Sequence, residues 1–189
     1  MCRAYEPSGP AVRSTSSTIS WANFRRKFSV DNRRPGRKRR HSLGMTFHDL
    51  PLNWTDLPLT DPTLAANVVD LYLTEGDRRC GVFAALICDH QARFIANINF
   101  DLPDYAEDPP DTCEEVLDPV IPALQLRPDG ALLLALGRPG LAASPLIDHD
   151  WTLAATHICH AANIRLLGFY VATAGHVYRP ELDAKPAAA

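Results

Sequence analysis

Apolar side chains recur along the chain with two different periods, which together predict helices and strands. Helical spacing begins after Asp61-Pro62, an N-cap residue followed by proline at the first helical position. A second helix is expected to open at Asp148 or Asp150. Three continuous apolar runs have the length of strands that are covered on both faces. These runs are residues 80–88, 131–136 and 164–173.

Shorter patterns fill the chain between these elements. Residues 93–100 alternate, which predicts a hairpin strand with four apolar side chains on one face: Phe94, Ala96, Ile98 and Phe100. Gly76 is expected to end the first helix. Thr112 begins a capping box and therefore a third helix, which Pro119 and Pro122 should kink or break in two. Residues 176–178 form a short last strand.

Strands linked through helices predict an α/β fold, with a three-layer mixed sheet flanked by helices. We expect the domain to span residues 45–180, and we expect residues 181–189 to form a disordered C-terminal end. Residues 1–44 hold 11 of the 19 Lys and Arg but only two acidic residues, which gives a charge of 11 − 2 = +9. The remaining residues hold 8 basic and 20 acidic groups, which gives 8 − 20 = −12. We therefore interpret residues 1–44 as a disordered basic tail, or as chain upstream of a true start at Met45.

The chain contains no apolar run long enough to cross a bilayer and no apolar segment typical of a secretory signal. Its five cysteines include no C-x-x-C pair, so a zinc site built on them is not expected. Reduced, mostly buried thiols fit this pattern best and favour a cytoplasmic location without membrane association.

Several stretches resemble the JAB/MPN domain of RadC-like proteins. They are the first hairpin, GVFAALICDHQARFI from Gly81, the strand and loop ALLLALGRPG from Ala131, and AANIRLLG from Ala161. The resemblance covers roughly half the chain, from Gly81 to Tyr178. It implies a JAB/MPN-like, cytidine-deaminase-like architecture.

Active members of that family bind zinc through H-x-H-P and S-x-x-D segments, helped by a glutamate on the first strand. Here Leu136 and Arg138 stand where the two histidines would be, and the glutamate position falls near Gly81. An acidic residue after the loop remains, as Asp148 or Asp150, but its spacing is off by one. Neither leucine nor a guanidinium can replace an imidazole beside Zn²⁺. The resemblance therefore implies a pseudoenzyme whose metal chemistry is lost and which holds no cofactor.

Two groups of residues remain as candidate sites within the domain. Gly137, Arg138 and Gly140, with Asp150, could bind an anionic ligand, because ligands of α/β sheets gather at the carboxyl ends of strands. The simpler interpretation is a turn whose glycines supply positive φ. A weaker alternative is a metal site that uses three histidines of one helix. These are His149, His157 and His160.

The basic tail is a third candidate. Residues 25–40 form a basic segment that could bind nucleic-acid phosphates. It includes Arg37, Lys38, Arg39 and Arg40. We therefore expect a non-catalytic RadC/JAB-like protein that acts as a binding or assembly module, with an unknown protein partner or by self-association. The alternatives are a small metal-dependent hydrolase that uses the histidines 149–160, and a nucleic-acid-associated protein that binds through its tail.

Overall fold

The computed structural model describes residues 50–102, 108–126, 129–141 and 146–180. Within these ranges five strands form one mixed sheet in the order β2-β1-β3-β4-β5. The strands are β1 (Val82–Cys88), β2 (Phe94–Asp101), β3 (Ala131–Gly137), β4 (Arg165–Thr173) and β5 (His176–Tyr178). Strands β3 and β4 pair in parallel, and every other neighbouring pair is antiparallel. The predicted α/β class with a mixed sheet is confirmed.

Within the same ranges, five α-helices and a short 3₁₀ helix accompany the sheet. The helices are α1 (Pro62–Tyr72), α2 (Glu75–Cys80), α3 (Pro109–Leu117), α4 (Ile121–Gln125) and α5 (Leu146–Ala161), and the 3₁₀ helix is Trp54–Asp56. No helix in the described ranges combines the length and the apolar character needed to cross a membrane. The predicted basic tail (1–44) and the C-terminal end (181–189) lie outside the described residues.

Each face of the sheet packs against its own set of helices. Strand β1 shows the division, because Phe83 and Ala85 belong to a core with α3, α4 and α5, whereas Ala84 and Leu86 belong to a core with α1. All seven residues of β1 and all seven of β3 are buried. Burial on both sides explains why these strands are continuous apolar runs.

The first helix begins as predicted but is followed by a helix that the pattern did not indicate. Asp61 Oδ1 accepts the Leu64 N–H at 2.7 Å and caps α1. A capping box between Thr74 and Asp77 then starts α2. Gly76 therefore lies inside α2 instead of ending α1, and the first strand starts at Val82 and not at residue 80.

The helix expected at Thr112 begins three residues earlier. Pro109 and Pro110 occupy its first turn, where no amide donor is needed, so Thr112 is inside α3 and not its cap. The predicted interruption is confirmed as a break into two helices. Pro122 lies in the first turn of α4, where its ring is tolerated.

The hairpin strand is correct, but the prediction that one face carries all four apolar residues is wrong. Ile87 pairs with Ala96 and Cys88 pairs with Phe94, so Ile95 is an extra residue, a β-bulge. The bulge reverses the alternation. Phe94 consequently packs in the α1 core, whereas Ala96 packs in the opposite core.

Candidate functional site

The carboxyl ends of the parallel pair β3–β4 hold a buried cluster of polar side chains. Arg138 directly follows β3, and its backbone N–H donates to the Ala172 carbonyl at 3.0 Å. This bond continues the parallel ladder by one residue and holds Arg138 against the sheet, so that only 4% of the residue is exposed. The cluster thus lies where α/β folds commonly bind ligands.

Arg138 forms a bidentate ion pair with Asp148 in the first turn of α5. Its Nε donates to Oδ1 at 2.6 Å and its Nη2 donates to Oδ2 at 2.7 Å. Asp148 is fully buried. The carboxylate bond is the main reason that the pKa of Arg138 lies above its ordinary value. Charge-assisted pairs of this geometry are among the strongest polar contacts in proteins.

Tyr178 of β5 closes the cluster. Its hydroxyl accepts from Arg138 Nη2 at 2.9 Å and donates to Asp148 Oδ2 at 2.5 Å. Burial and the bond to Asp148 raise the pKa of Tyr178, so the hydroxyl keeps its proton and its role as donor. Arg138 Nη1 also donates to the Pro139 carbonyl at 2.9 Å. Both terminal nitrogens of the guanidinium, Nη1 and Nη2, therefore donate hydrogen bonds within the chain itself.

A second buried arginine stands on the opposite face of the same end of the sheet. Arg78 of α2 donates from Nε to the Leu73 carbonyl at 2.9 Å and from Nη1 to the Thr173 carbonyl at 3.0 Å. Its Nη2 binds Asp70 Oδ1 at 2.6 Å. The sequence pattern did not indicate this residue. Its neighbour Arg79 is exposed, and nothing in the local sequence distinguishes the two.

The four residues predicted as a ligand site are only partly brought together. Gly140 has a φ of +99°, and a Cβ there would lie 3.2 Å from Arg138 Nη1, so a turn beside the guanidinium requires glycine. Gly137 is the last residue of β3, and a Cβ there would lie 3.4 Å from the Leu73 side chain. Asp150 is exposed on α5, and Asp148 is the acidic residue that joins the cluster.

The three histidines of the alternative metal site all lie on α5 but do not meet. His149 is half-buried, whereas His157 and His160 are exposed. Eight residues separate His149 from His157, a rise of about 12 Å along a helix, which is too far for one zinc ion. No group of three His, Cys, Asp or Glu side chains in the described part of the chain has a metal-binding arrangement. The basic residues 37–40 lie outside the described residues.

Three of the five cysteines are free and buried. They are Cys88, Cys113 and Cys159. Burial raises the pKa of the first two thiols to about 12 and that of the third to about 11. Cys80 is exposed and disulfide-bonded, so the expectation of reduced thiols is wrong for this residue.

Comparison of the chain with protein-family models, curated proteins and solved structures finds no match.

Proposed function

We propose that this protein is a non-catalytic, RadC/JAB-like binding or assembly module. The observation that carries the proposal is the saturation of Arg138 by Asp148 and Tyr178. An arginine that binds a substrate must offer donors to it, whereas this guanidinium already meets a buried carboxylate of opposite charge. The cluster thus supports a role in fixing α5 and β5 to the sheet instead of a role in chemistry.

The RadC/JAB-like relationship is part of the proposal and rests on the resembling stretches between Gly81 and Tyr178. In that relationship Arg138 replaces a zinc ligand and Asp148 remains as the acidic residue after the loop. Their ion pair is what a metal site converted to a structural contact would contain. A cytoplasmic location is likewise proposed, on the three free and buried cysteines.

Chemical rescue tests whether the cluster is closed to ligands. Asp148→Ala removes the carboxylate and leaves the Arg138 charge uncompensated, so formate should enter the gap and raise the melting temperature of this variant by several degrees. The full-length wild-type chain should not respond to formate, phosphate or adenine nucleotides. Asp150→Ala is the matched control, because Asp150 is exposed two residues along the same helix.

Melting temperatures by scanning fluorimetry at increasing anion concentration provide the measurement. A wild-type chain stabilised by one of these anions, with the effect abolished by Arg138→Gln, would contradict the proposal and restore Arg138 as a ligand-binding residue. Equal responses of Asp148→Ala and Asp150→Ala would show that formate acts at another place.

A further inference from the structure

The outer edge of β2 is a second feature, separate from the Arg138 cluster, that suggests an interaction surface. The inference drawn from it rests on the proposed function as an assembly module. β2 is the terminal strand of the sheet. Within the described ranges, its outer edge meets other chain at the bridge between Pro58 and Arg93. Trp54 covers the next residue, Phe94, with a ring-centroid distance of 5.2 Å. Along residues 95–101, the described part of the chain forms no further backbone pairing at this edge.

The backbone of this stretch offers donors at known positions. The Leu102 N–H donates to the Gly81 carbonyl at 2.9 Å, toward the β1 side of the hairpin. Amide directions alternate along an antiparallel strand. The N–H groups of Asn97, Asn99 and Asp101 therefore point away from β1, toward the open edge.

The side chains of the stretch do not protect it. Natural edge strands are usually protected from pairing with another strand by lysine or proline residues, or because the strand is short. Residues 95–101 contain no basic residue and no proline, and Asp101 at the far end is the one charged residue among them. Ile95 is 43% exposed, and it is among the large apolar side chains that the described surface leaves open. Such an edge is suited to pairing with another strand.

We propose that a second copy of this chain pairs with this edge. The two β2 strands run antiparallel about a two-fold axis beside Ile98, the midpoint of residues 95–101, and join two five-stranded sheets into one. The register pairs the following residues of the two copies: Ile98 with Ile98, Asn97 with Asn99, Ala96 with Phe100, and Ile95 with Asp101.

This register satisfies three requirements at once. It places the outward amides of Asn97 and Asn99 opposite each other, which is where an antiparallel ladder forms its paired hydrogen bonds. It pairs Ile98 with Ile98 and Ala96 with Phe100 on one face of the strand, and Asn97 with Asn99 on the other, while Ile95 and Asp101 form the outermost pairs. The two Asp101 carboxylates lie at opposite ends of the pair and do not repel each other.

The side chain of Asn97 is already held within its own copy, since its Nδ2 donates to Asn99 Oδ1 at 2.9 Å. The position of the two-fold axis follows instead from the ends of the stretch. An axis one residue earlier would instead direct Asp101 of the second copy at Arg93, where Pro58 already occupies the edge.

Sedimentation velocity of the full-length chain over a range of micromolar concentrations tests the proposal. Asn99→Pro removes an outward N–H and spares the ladder to β1, because proline is tolerated where the N–H of an edge strand faces solvent. Asn99→Lys places two cations near the axis. Ala161→Lys is the charge-matched control, at an exposed position on the last turn of α5. Circular dichroism of each variant checks that the monomer is folded.

We expect the wild-type chain and Ala161→Lys to form dimers, and both Asn99 variants to weaken the dimer by about tenfold or more in dissociation constant. A wild-type chain that remains monomeric overturns the proposal. So do folded Asn99 variants that dimerise like the wild type, or an equal loss in Ala161→Lys. The anion responses do not measure association, so this proposal and that of the closed cluster can fail separately.

Discussion

At the scale of single residues, the two buried arginines differ in what each one neutralises. Arg78 binds mostly backbone carbonyls, and its carboxylate partner Asp70 is partly exposed. Arg138 instead holds a carboxylate that has no exposure at all. A buried charge that loses its partner is far more costly than an unmet carbonyl. Of the two arginines, Arg138 is therefore the one whose loss should destabilise the fold more.

Replacing one partner of the Arg138–Asp148 pair should be much more harmful than replacing both. We expect Arg138→Met to lower the free energy of unfolding by about 3–5 kcal/mol, because Asp148 is then buried and unpaired. The double variant Arg138→Met/Asp148→Leu should recover most of this loss. Urea unfolding at one protein concentration compares the wild type, the single variants Arg138→Met and Asp148→Leu, and the double variant, with exposed Arg79→Met as the control. Additive losses in the double variant would show that the two side chains do not stabilise each other.

At the scale of elements, helix α5 shows what the sequence could predict and what it could not. The predicted apolar face is correct, since Trp151 is fully buried and packs 5.5 Å from the Phe83 ring while His160 is exposed. The predicted start, at Asp148 or Asp150, lies two or four residues too late, although the sequence carries Ser144-Pro145 just before Leu146, the same order of cap residue and proline as at the first helix. The pairing of Asp148 with Arg138 is consequently absent from the prediction. The spacing of three residues from Asp148 to Trp151 is an available indication that both lie on the buried face.

Other elements were unpredictable for physical reasons. The bulge at Ile95 depends on the register in which β1 and β2 pair. The alternation of apolar residues within β2 alone does not determine that register. The position of Arg78 depends on the Thr173 carbonyl, 95 residues away. Long-range partners of this kind are set by tertiary packing and leave no local pattern.

The two faces of α5 should respond very differently to truncation. Trp151→Ala removes a fully buried indole from the core beside Phe83, and we expect a loss of about 3–5 kcal/mol in the free energy of unfolding. His160→Ala should change it by no more than about 0.5 kcal/mol, because His160 is exposed. Paired urea unfolding curves provide the comparison. A larger effect of His160→Ala would reveal a role for that side chain beyond the helix surface.

At the scale of the whole molecule, the sheet connects two cores that differ in their helices. Cys88 belongs to the core with α1, whereas Cys113 and Cys159 belong to the core with α3 and α5. The thiolate is the reactive form of cysteine. Burial raises the pKa of all three thiols well above neutral pH, so the thiolate is scarce. These cysteines therefore report separately on the two sides of the sheet.

We expect none of the three thiols to be alkylated in the native protein at pH near 8, and all three to become reactive at the same urea concentration. Pulse labelling followed by peptide mass spectrometry measures each site, with the protein in concentrated urea as the standard for complete labelling. Earlier labelling of Cys113 and Cys159 than of Cys88 would mean that the two cores unfold independently.

The bulge in β2 also determines how this strand can change in length. Eight residues of β2 occupy seven positions opposite β1, because Ile95 has no partner there. A chain that lacked Ile95 would keep Phe94 and Ala96 on the faces that they occupy now, since regular alternation already places neighbours on opposite sides. A chain that lacked Asn97 would turn every side chain on one side of the gap to the wrong core. Deletion of Ile95 would thus leave the side chains of β2 in their present cores, whereas deletion of Asn97 would not.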